Sequence, residues 1–150
     1  VGGKSEVLPP VVGALKALFD EYEVEIKGKY AAVIGAGRLV GKPVAVWLMN
    51  EGATVSVVNE YTKDIVEFTR EADIIISGAG KPKLITADWV KEGAVVVDAG
   101  TSESEGKIVG DVDFDSVAPK TSYITPVPGG IGPLTVALLF KNLFILSKAK

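Results

Sequence analysis

The sequence predicts an α/β fold, a doubly wound sheet of about five parallel strands flanked by helices, with a small β-hairpin added. Two observations carry this. Short apolar runs alternate five times with stretches of helical period, joined by short links. The runs are apolar on both faces, as strands covered by helices on each side must be. Right-handed crossovers then make a doubly wound sheet the natural solution.

The elements follow in order. Residues 1–7 are polar and glycine-containing and read as a loop or linker. Pro9-Pro10 opens a helix, because proline is tolerated in a first turn. Leu15, Leu18 and Phe19 then recur at helical spacing as far as Tyr22. Lys27-Gly28-Lys29 turns the chain into a buried strand over Tyr30–Ile34. A helix over Gly41–Asn50 turns Val44, Trp47 and Leu48 inward and stops at Glu51-Gly52. Thr54–Val58 is the second strand, residues 62–71 a helix, and residues 73–77 the third strand. Residues 86–91 make a short helix with Thr86 as its N-cap, and residues 94–98 the fourth strand. Glu105-Gly106-Lys107 is the turn of a hairpin within residues 102–111. Residues 113–117 allow at most one helical turn, and residues 122–125 form the fifth strand. A Pro/Gly-rich stretch leads into a long helix over residues 134–147. It is apolar nearly all round, so it must be covered on more than one side.

At 150 residues one domain is expected, and 47% apolar with 23% charged residues suits a globular chain. A net charge of −3 argues against nucleic acid or an anionic membrane as partner. The chain has neither Cys nor His. Disulfides, thiolate metal sites and Cys or His nucleophiles are thereby excluded within it, and no metal is expected. Acid–base chemistry falls to Lys, Tyr, Asp or Glu, or to a segment outside this sequence. No uninterrupted apolar run reaches the ~18 residues of a membrane span, and no signal peptide is visible. A cytoplasmic protein is the expectation. Because the sequence starts at Val1, a preceding segment is expected to be missing.

Gly35-Ala36-Gly37-Arg38-Leu39-Val40-Gly41 joins the first strand to its helix. Its spacing is GxGxxxG, one residue longer than the common GxGxxG. The first glycine makes a tight turn, and the second lets backbone approach a pyrophosphate. The helix start offers free N–H groups and a positive dipole end. Glycines at such a turn also serve plain geometry, so the strand–turn–helix setting carries the reading, which is dinucleotide binding. Asn59-Glu60-Tyr61 follows the second strand. An acid there accepts hydrogen bonds from the adenosine ribose and repels a 2′-phosphate, which favours NAD over NADP. The competing reading of Glu60 is a solvated turn residue. Arg38 and Lys42 read equally as phosphate contacts or as exposed side chains. Gly78-Ala79-Gly80 and Gly100-Thr101 also follow strand ends. Three glycine-bearing loops would line one sheet edge, where ligands of such folds bind.

Further residues resemble one family in order. They are Val33-Ile34-Gly35, Val40-Gly41-Lys42-Pro43, Ala72-Asp73, Gly80-Lys81-Pro82, Val97-Asp98 and Gly110-Asp111-Val112-Asp113-Phe114. The most specific run is Thr125-Pro126-Val127-Pro128-Gly129-Gly130-Ile131-Gly132-Pro133-Leu134-Thr135. The chain resembles the C-terminal, NAD(P)-binding, Rossmann-type domain of the bifunctional methylenetetrahydrofolate dehydrogenase/methenyltetrahydrofolate cyclohydrolases, well over residues 24–147 and loosely over 9–23.

The resemblance implies an enzyme of folate one-carbon metabolism. Such an enzyme oxidises a methylene-tetrahydrofolate with NAD(P) and hydrolyses the methenyl product. It implies a homodimer, and a separate N-terminal domain that supplies the catalytic lysine and most of the folate site. Residues 1–23 would then be the junction with that missing domain and residues 24–150 the cofactor domain. The isolated chain would be inactive and carry no catalytic residue of its own. By resemblance, Gly35, Ala36, Gly37, Arg38, Val40 and Gly41 surround the pyrophosphate. Asn59, Glu60 and Tyr61 lie near the adenosine ribose. Gly78, Ala79, Gly80, Gly100, Thr101 and Thr125 lie near the cofactor's rings. Pro126, Val127, Pro128, Gly129, Gly130, Gly132, Pro133 and Thr135 border the tetrahydrofolate cleft.

Two departures matter. Many relatives carry Gly-Arg-Ser in the first loop and a basic residue after the second strand, where this chain has Gly35-Ala36-Gly37 and Glu60-Tyr61. Both changes remove 2′-phosphate partners, so NAD is favoured by Ala36 as well as Glu60. The family's Pro-x-Thr-Pro is here Pro9-Pro10-Val11-Val12, which loses a hydroxyl and a proline near the folate cleft. The alternative is a truncated, non-catalytic nucleotide-binding or interaction protein derived from the family.

Overall fold

The computed structural model describes residues 7–148. Its sheet holds β1 (Tyr30–Ile34), β2 (Thr54–Val58), β3 (Ile74–Ser77), β4 (Val95–Asp98) and the last strand, β7 (Tyr123–Ile124). These five run parallel in the order β2-β1-β3-β4-β7. The chain goes outward from β1 to β2, then returns past β1 to β3. The topological switch point therefore lies between β1 and β3, where such sheets open a ligand crevice. β5 (Ser102–Ser104) and β6 (Lys107–Val109) form the expected hairpin, turning at Glu105-Gly106.

Burial follows the pleat. Ala31, Val33, Ile74, Ile76 and Val97 face one core, with α1 (Pro10–Glu21), α2 (Gly41–Asn50) and the first turn of α5 (Ile131–Lys148). Ala32, Ile34, Ile75 and Val96 face the other, with Val58, Ile85, Val112 and Val117. This is the period of two that a strand imposes, with both faces covered. The second face carries α3 (Ile65–Thr69) and α4 (Phe114–Val117). Helix α1, expected at a domain junction, packs into the first core: Val11, Val12, Leu15 and Phe19 are buried, and the Phe19 and Trp47 rings lie 5.8 Å apart. Residues 1–6 of the expected linker lie outside the described residues.

Four expectations are corrected. The helix over residues 62–71 shrinks to α3. Thr62 is held in a turn instead, accepting from the Asn59 N–H through its hydroxyl (3.0 Å) and donating its own N–H to the Asn59 carbonyl (3.0 Å). Such local side-chain bonds compete with helix. Thr86 does not cap a helix; its hydroxyl donates to the Asp88 carboxylate, and only a 3-10 turn over Ala87–Trp89 forms. Helix α5 starts at Ile131 rather than Leu134, because Pro133 sits in its first turn, where a missing N–H leaves no bond unmade. Fourth, α5 has 18 residues of mean hydropathy 1.4, long and apolar enough by length and composition to cross a membrane. Lys141, Asn142 and Ser147 interrupt the apolar run that the sequence reading required without lowering the average below that mark.

Helix α5 lies along α1. Gly13 leaves room for Leu138, whose side chain would stand 3.0 Å from a β-carbon there, and the Asn142 amide donates to the Leu8 carbonyl (2.7 Å). Away from α1, Val136, Leu139, Phe140, Leu143, Phe144 and Leu146 are about half or more exposed.

Candidate functional site

The turns after β1, β3 and β4 leave one edge of the sheet side by side, because those strands are parallel neighbours. The turn after β1 is the tightest. Gly35 has φ +98°, and a β-carbon on it would stand 2.6 Å from the Gly78 carbonyl oxygen. A β-carbon on Gly41 would overlap the Gly35 carbonyl oxygen. Across the crevice, the Val40 side chain stands where Gly78 has no β-carbon, 2.7 Å from that position. So the glycine turn rests directly on the turn after β3. The backbone N–H groups of Arg38 and Leu39 find no protein acceptor, and Val40, at the N-cap position of α2, offers no side-chain cap. Those unspent donors suit an anion.

Two clefts flank this turn. One, of about 470 Å³, is lined by Gly35, Ala36, Gly37, Asn59, Glu60, Tyr61, Gly78 and Ala79, together with Ile65, Lys81 and Leu84. Asn59 shapes its rim, its side-chain oxygen accepting from the Tyr61 N–H at 2.9 Å. Glu60 is thereby presented at an exposed bend. The other cleft, of about 500 Å³, lies toward the hairpin. It is lined by Val40, Gly100, Thr101, Thr135 and the run from Pro126 to Pro133, with Pro10, Val11, Leu39, Asp98, Ala99 and Ile108. The Val127-Pro128 peptide in that run is cis.

Four of the residues expected at the cofactor lie outside both linings. Arg38 is exposed on the turn, Gly41 is buried beneath it, and Gly80 faces solvent. Thr125 is buried; its hydroxyl accepts from the Asp98 N–H at 2.9 Å, and it borders a separate apolar groove of about 460 Å³ beside α1 and β7.

Sequence reasoning missed a buried carboxylate pair beneath the two later turns. Asp98 is 2% exposed and accepts from the N–H groups of Gly100 (2.9 Å), Asp111 (3.1 Å) and Val112 (2.9 Å). Burial pushes its carboxyl above the ordinary range; the three N–H groups pull the other way, and the Asp111 charge adds to the rise. Asp111 is fully buried and accepts from the Ser77 hydroxyl (2.6 Å) and the N–H groups of Ala79 (2.7 Å), Gly80 (3.3 Å) and Lys81 (2.8 Å). A signal was available: Val95–Asp98 puts an acid at the end of an otherwise apolar strand. Lys81, Leu84 and Ile108 carried none, since only folding brings them to the clefts.

With this geometry in view, comparison with known proteins decides the family. A model of the tetrahydrofolate dehydrogenase/cyclohydrolase NAD(P)-binding domain matches residues 9–150. The chain belongs to this family. It corresponds to the C-terminal NAD(P)-binding domain of the bifunctional dehydrogenase/cyclohydrolases. It is 58% identical over 128 residues to the bifunctional protein FolD of Hydrogenobaculum sp., covering 85% of this chain and 46% of that protein. It is 50% identical over 146 residues to the bifunctional protein FolD 2 of Lactobacillus johnsonii, covering 97% and 52%. The crystal structure of FolD from Campylobacter jejuni superposes with TM-score 0.93 at 50% identity, covering 97% of this chain and 52% of that one. The Trypanosoma brucei enzyme, solved with NADP and an inhibitor, superposes with TM-score 0.87 at 42% identity, covering 95% and 52%. The chain thus spans about half the length of the relatives it matches.

Proposed function

We propose that this chain is the cofactor-holding half of an NAD-preferring methylenetetrahydrofolate dehydrogenase/cyclohydrolase. The carrying observation is the pair of clefts on either side of one glycine turn at the switch point. A dinucleotide has two nucleoside ends and a diphosphate between them, and it fits that layout. Its diphosphate would cross the Gly35–Gly41 turn, whose open N–H groups match the charge. The adenosine end would take the Glu60 cleft, where the carboxylate serves the ribose hydroxyls and opposes a 2′-phosphate. The nicotinamide end would take the cleft lined by Thr101 and Pro126.

In the proposed reaction, the methylene carbon of the folate loses a hydride to nicotinamide, which leaves a methenyl cation and reduced cofactor. The work of this chain is positioning. Val40, Thr101 and the Pro126–Pro133 run enclose the reacting end and keep water from it. The folate and its acid–base groups would come from the half of the relatives' length that this chain does not cover. Helix α5 offers its exposed apolar side for that half or for a second copy of the chain. A cytoplasmic homodimer completes the proposal.

Titration with NAD and NADP tests the reading. The chain should bind NAD more tightly than NADP and show no dehydrogenase turnover by itself. Tighter NADP binding would overturn the cofactor choice, and binding of neither would overturn the site. A non-catalytic relative is the second reading. It is favoured by Val11, which stands where the family's Pro-x-Thr-Pro has its threonine and lies in the wall of the second cleft. Turnover after joining the chain to the N-terminal half of a relative would remove that reading.

A further inference from the structure

Asp111 reaches neither cleft, yet its carboxylate takes four hydrogen bonds from residues 77–81. The Ala79, Gly80 and Lys81 N–H groups turn inward around it, as backbone donors do around an anion. Ala79 and Lys81, with Gly78, form part of the wall of the Glu60 cleft. The anion therefore sets that wall from behind. Asp98 does the same for the next turn, holding Gly100, and its Oδ1 also accepts the Asp111 N–H. The glycines conform to the pair. A β-carbon on Gly100 would overlap the Asp111 carboxylate, and one on Gly110 would overlap that of Asp98.

Stability alone does not account for the arrangement. No lysine or arginine among the described residues lies within 4.0 Å of either carboxylate. A buried charge without a counter-ion is costly, and apolar groups of equal volume commonly serve a core better. What the carboxylates supply is a fixed loop shape.

We propose that Asp111 is a positioning residue for the dinucleotide: it shapes the adenosine-side wall and, through Asp98, ties it to the Gly100-Thr101 turn at the other end. This rests on the cofactor reading above. Asp111→Asn keeps the volume but turns an NH2 group toward backbone donors. Ser77→Ala removes one donor and leaves the anion in place, so it remains informative where Asp111→Asn fails to fold.

The test is calorimetric titration of the 150-residue chain and both variants with NAD and with ADP, reading affinity and stoichiometry separately, beside amide NMR spectra. Asp111→Asn should weaken both ligands by about 10-fold, and Ser77→Ala by about 3-fold, at full stoichiometry. The amide resonances of Ala79, Gly80 and Lys81 should move, and those of β2 should stay. A merely structural role lowers the fraction of molecules that bind, not the affinity of those that do. Affinities within about twofold of the unaltered chain in a folded variant overturn the proposal and leave the cofactor reading standing. Failure of the unaltered chain to bind NAD overturns both.

Discussion

The carbonyl oxygen of Gly35 fills the space where any other residue at position 41 would carry its β-carbon. The two glycines close the turn on each other, and the start of α2 is set by that closure. Gly41→Ala should cost about 3 kcal/mol or more, because backbone rather than a flexible side chain must give way. Urea unfolding reads the loss. NAD affinity should fall in whatever fraction remains folded. A variant within about 1 kcal/mol of the unaltered chain would show that the turn is looser than described.

Glu60 stands at the exposed bend held by Asn59. Glu60→Ser combined with Ala36→Arg should raise NADP affinity by about 10-fold or more, by removing one repelling charge and adding one attracting charge. Paired titrations with the two dinucleotides give the ratio. No change in that ratio would show that neither side chain meets the 2′ position.

Asp73 caps the entry to β1 and β3. It accepts the Tyr30 N–H at 2.8 Å and pairs with Lys91. Its pKa is lowered, chiefly by the Lys91 hydrogen bond and then by the Tyr30 N–H. A carboxyl lowered on folding stabilises the fold above its unfolded pKa of about 4, and that contribution disappears as pH falls through the folded value. The pair is about one-third exposed, so Asp73→Asn should cost only about 0.5–1 kcal/mol at pH 7. The difference from the unaltered chain should shrink as pH falls below the unfolded value of about 4 and vanish once pH has passed the lowered folded value. Urea midpoints across pH 2–7 would show it (roughly the carboxylate range), and a pH-independent difference would refute the assignment.

Phe140 and Phe144 are 67% and 60% exposed on the free side of α5. An apolar helix face of this kind associates when nothing covers it. The chain should self-associate at high concentration, and Phe140→Ser with Phe144→Ser should return it to monomer while moving stability by less than about 0.5 kcal/mol. Sedimentation velocity distinguishes the outcomes. A monomeric unaltered chain would show that the face is inert in isolation.

Much of this architecture could be read from the chain alone, for physical reasons that vary by element. β1, α2 and β2 fall on their expected residues because apolar runs and glycine stops bound them without competition. The hairpin appears because Glu105-Gly106 has little other use. The helix after Asn59 was overextended because two side-chain bonds to backbone, invisible to periodicity, hold Thr62 in a turn. The glycine turn and Glu60 were legible as a local pattern. Of the second cleft, Gly100-Thr101 was legible as a glycine-bearing strand exit and the Pro126 run through family likeness, whereas Ile108 and Pro10 reach it only by tertiary packing. The Asp98–Asp111 pair was the largest omission. Thirteen positions separate its members, and no local rule joins them.

The anchoring of the turn after β3 from its interior side has a bearing on how such a domain changes its ligand. Asp111 is wholly enclosed, so the groups that keep the backbone in shape are not those that meet incoming solute. Ala36, Glu60 and the ammonium end of Lys81 make no hydrogen bond to the frame. They can be exchanged for larger, smaller or oppositely charged groups without disturbing the frame. Selectivity can drift while foldedness stays put, because separate atoms are answerable for each.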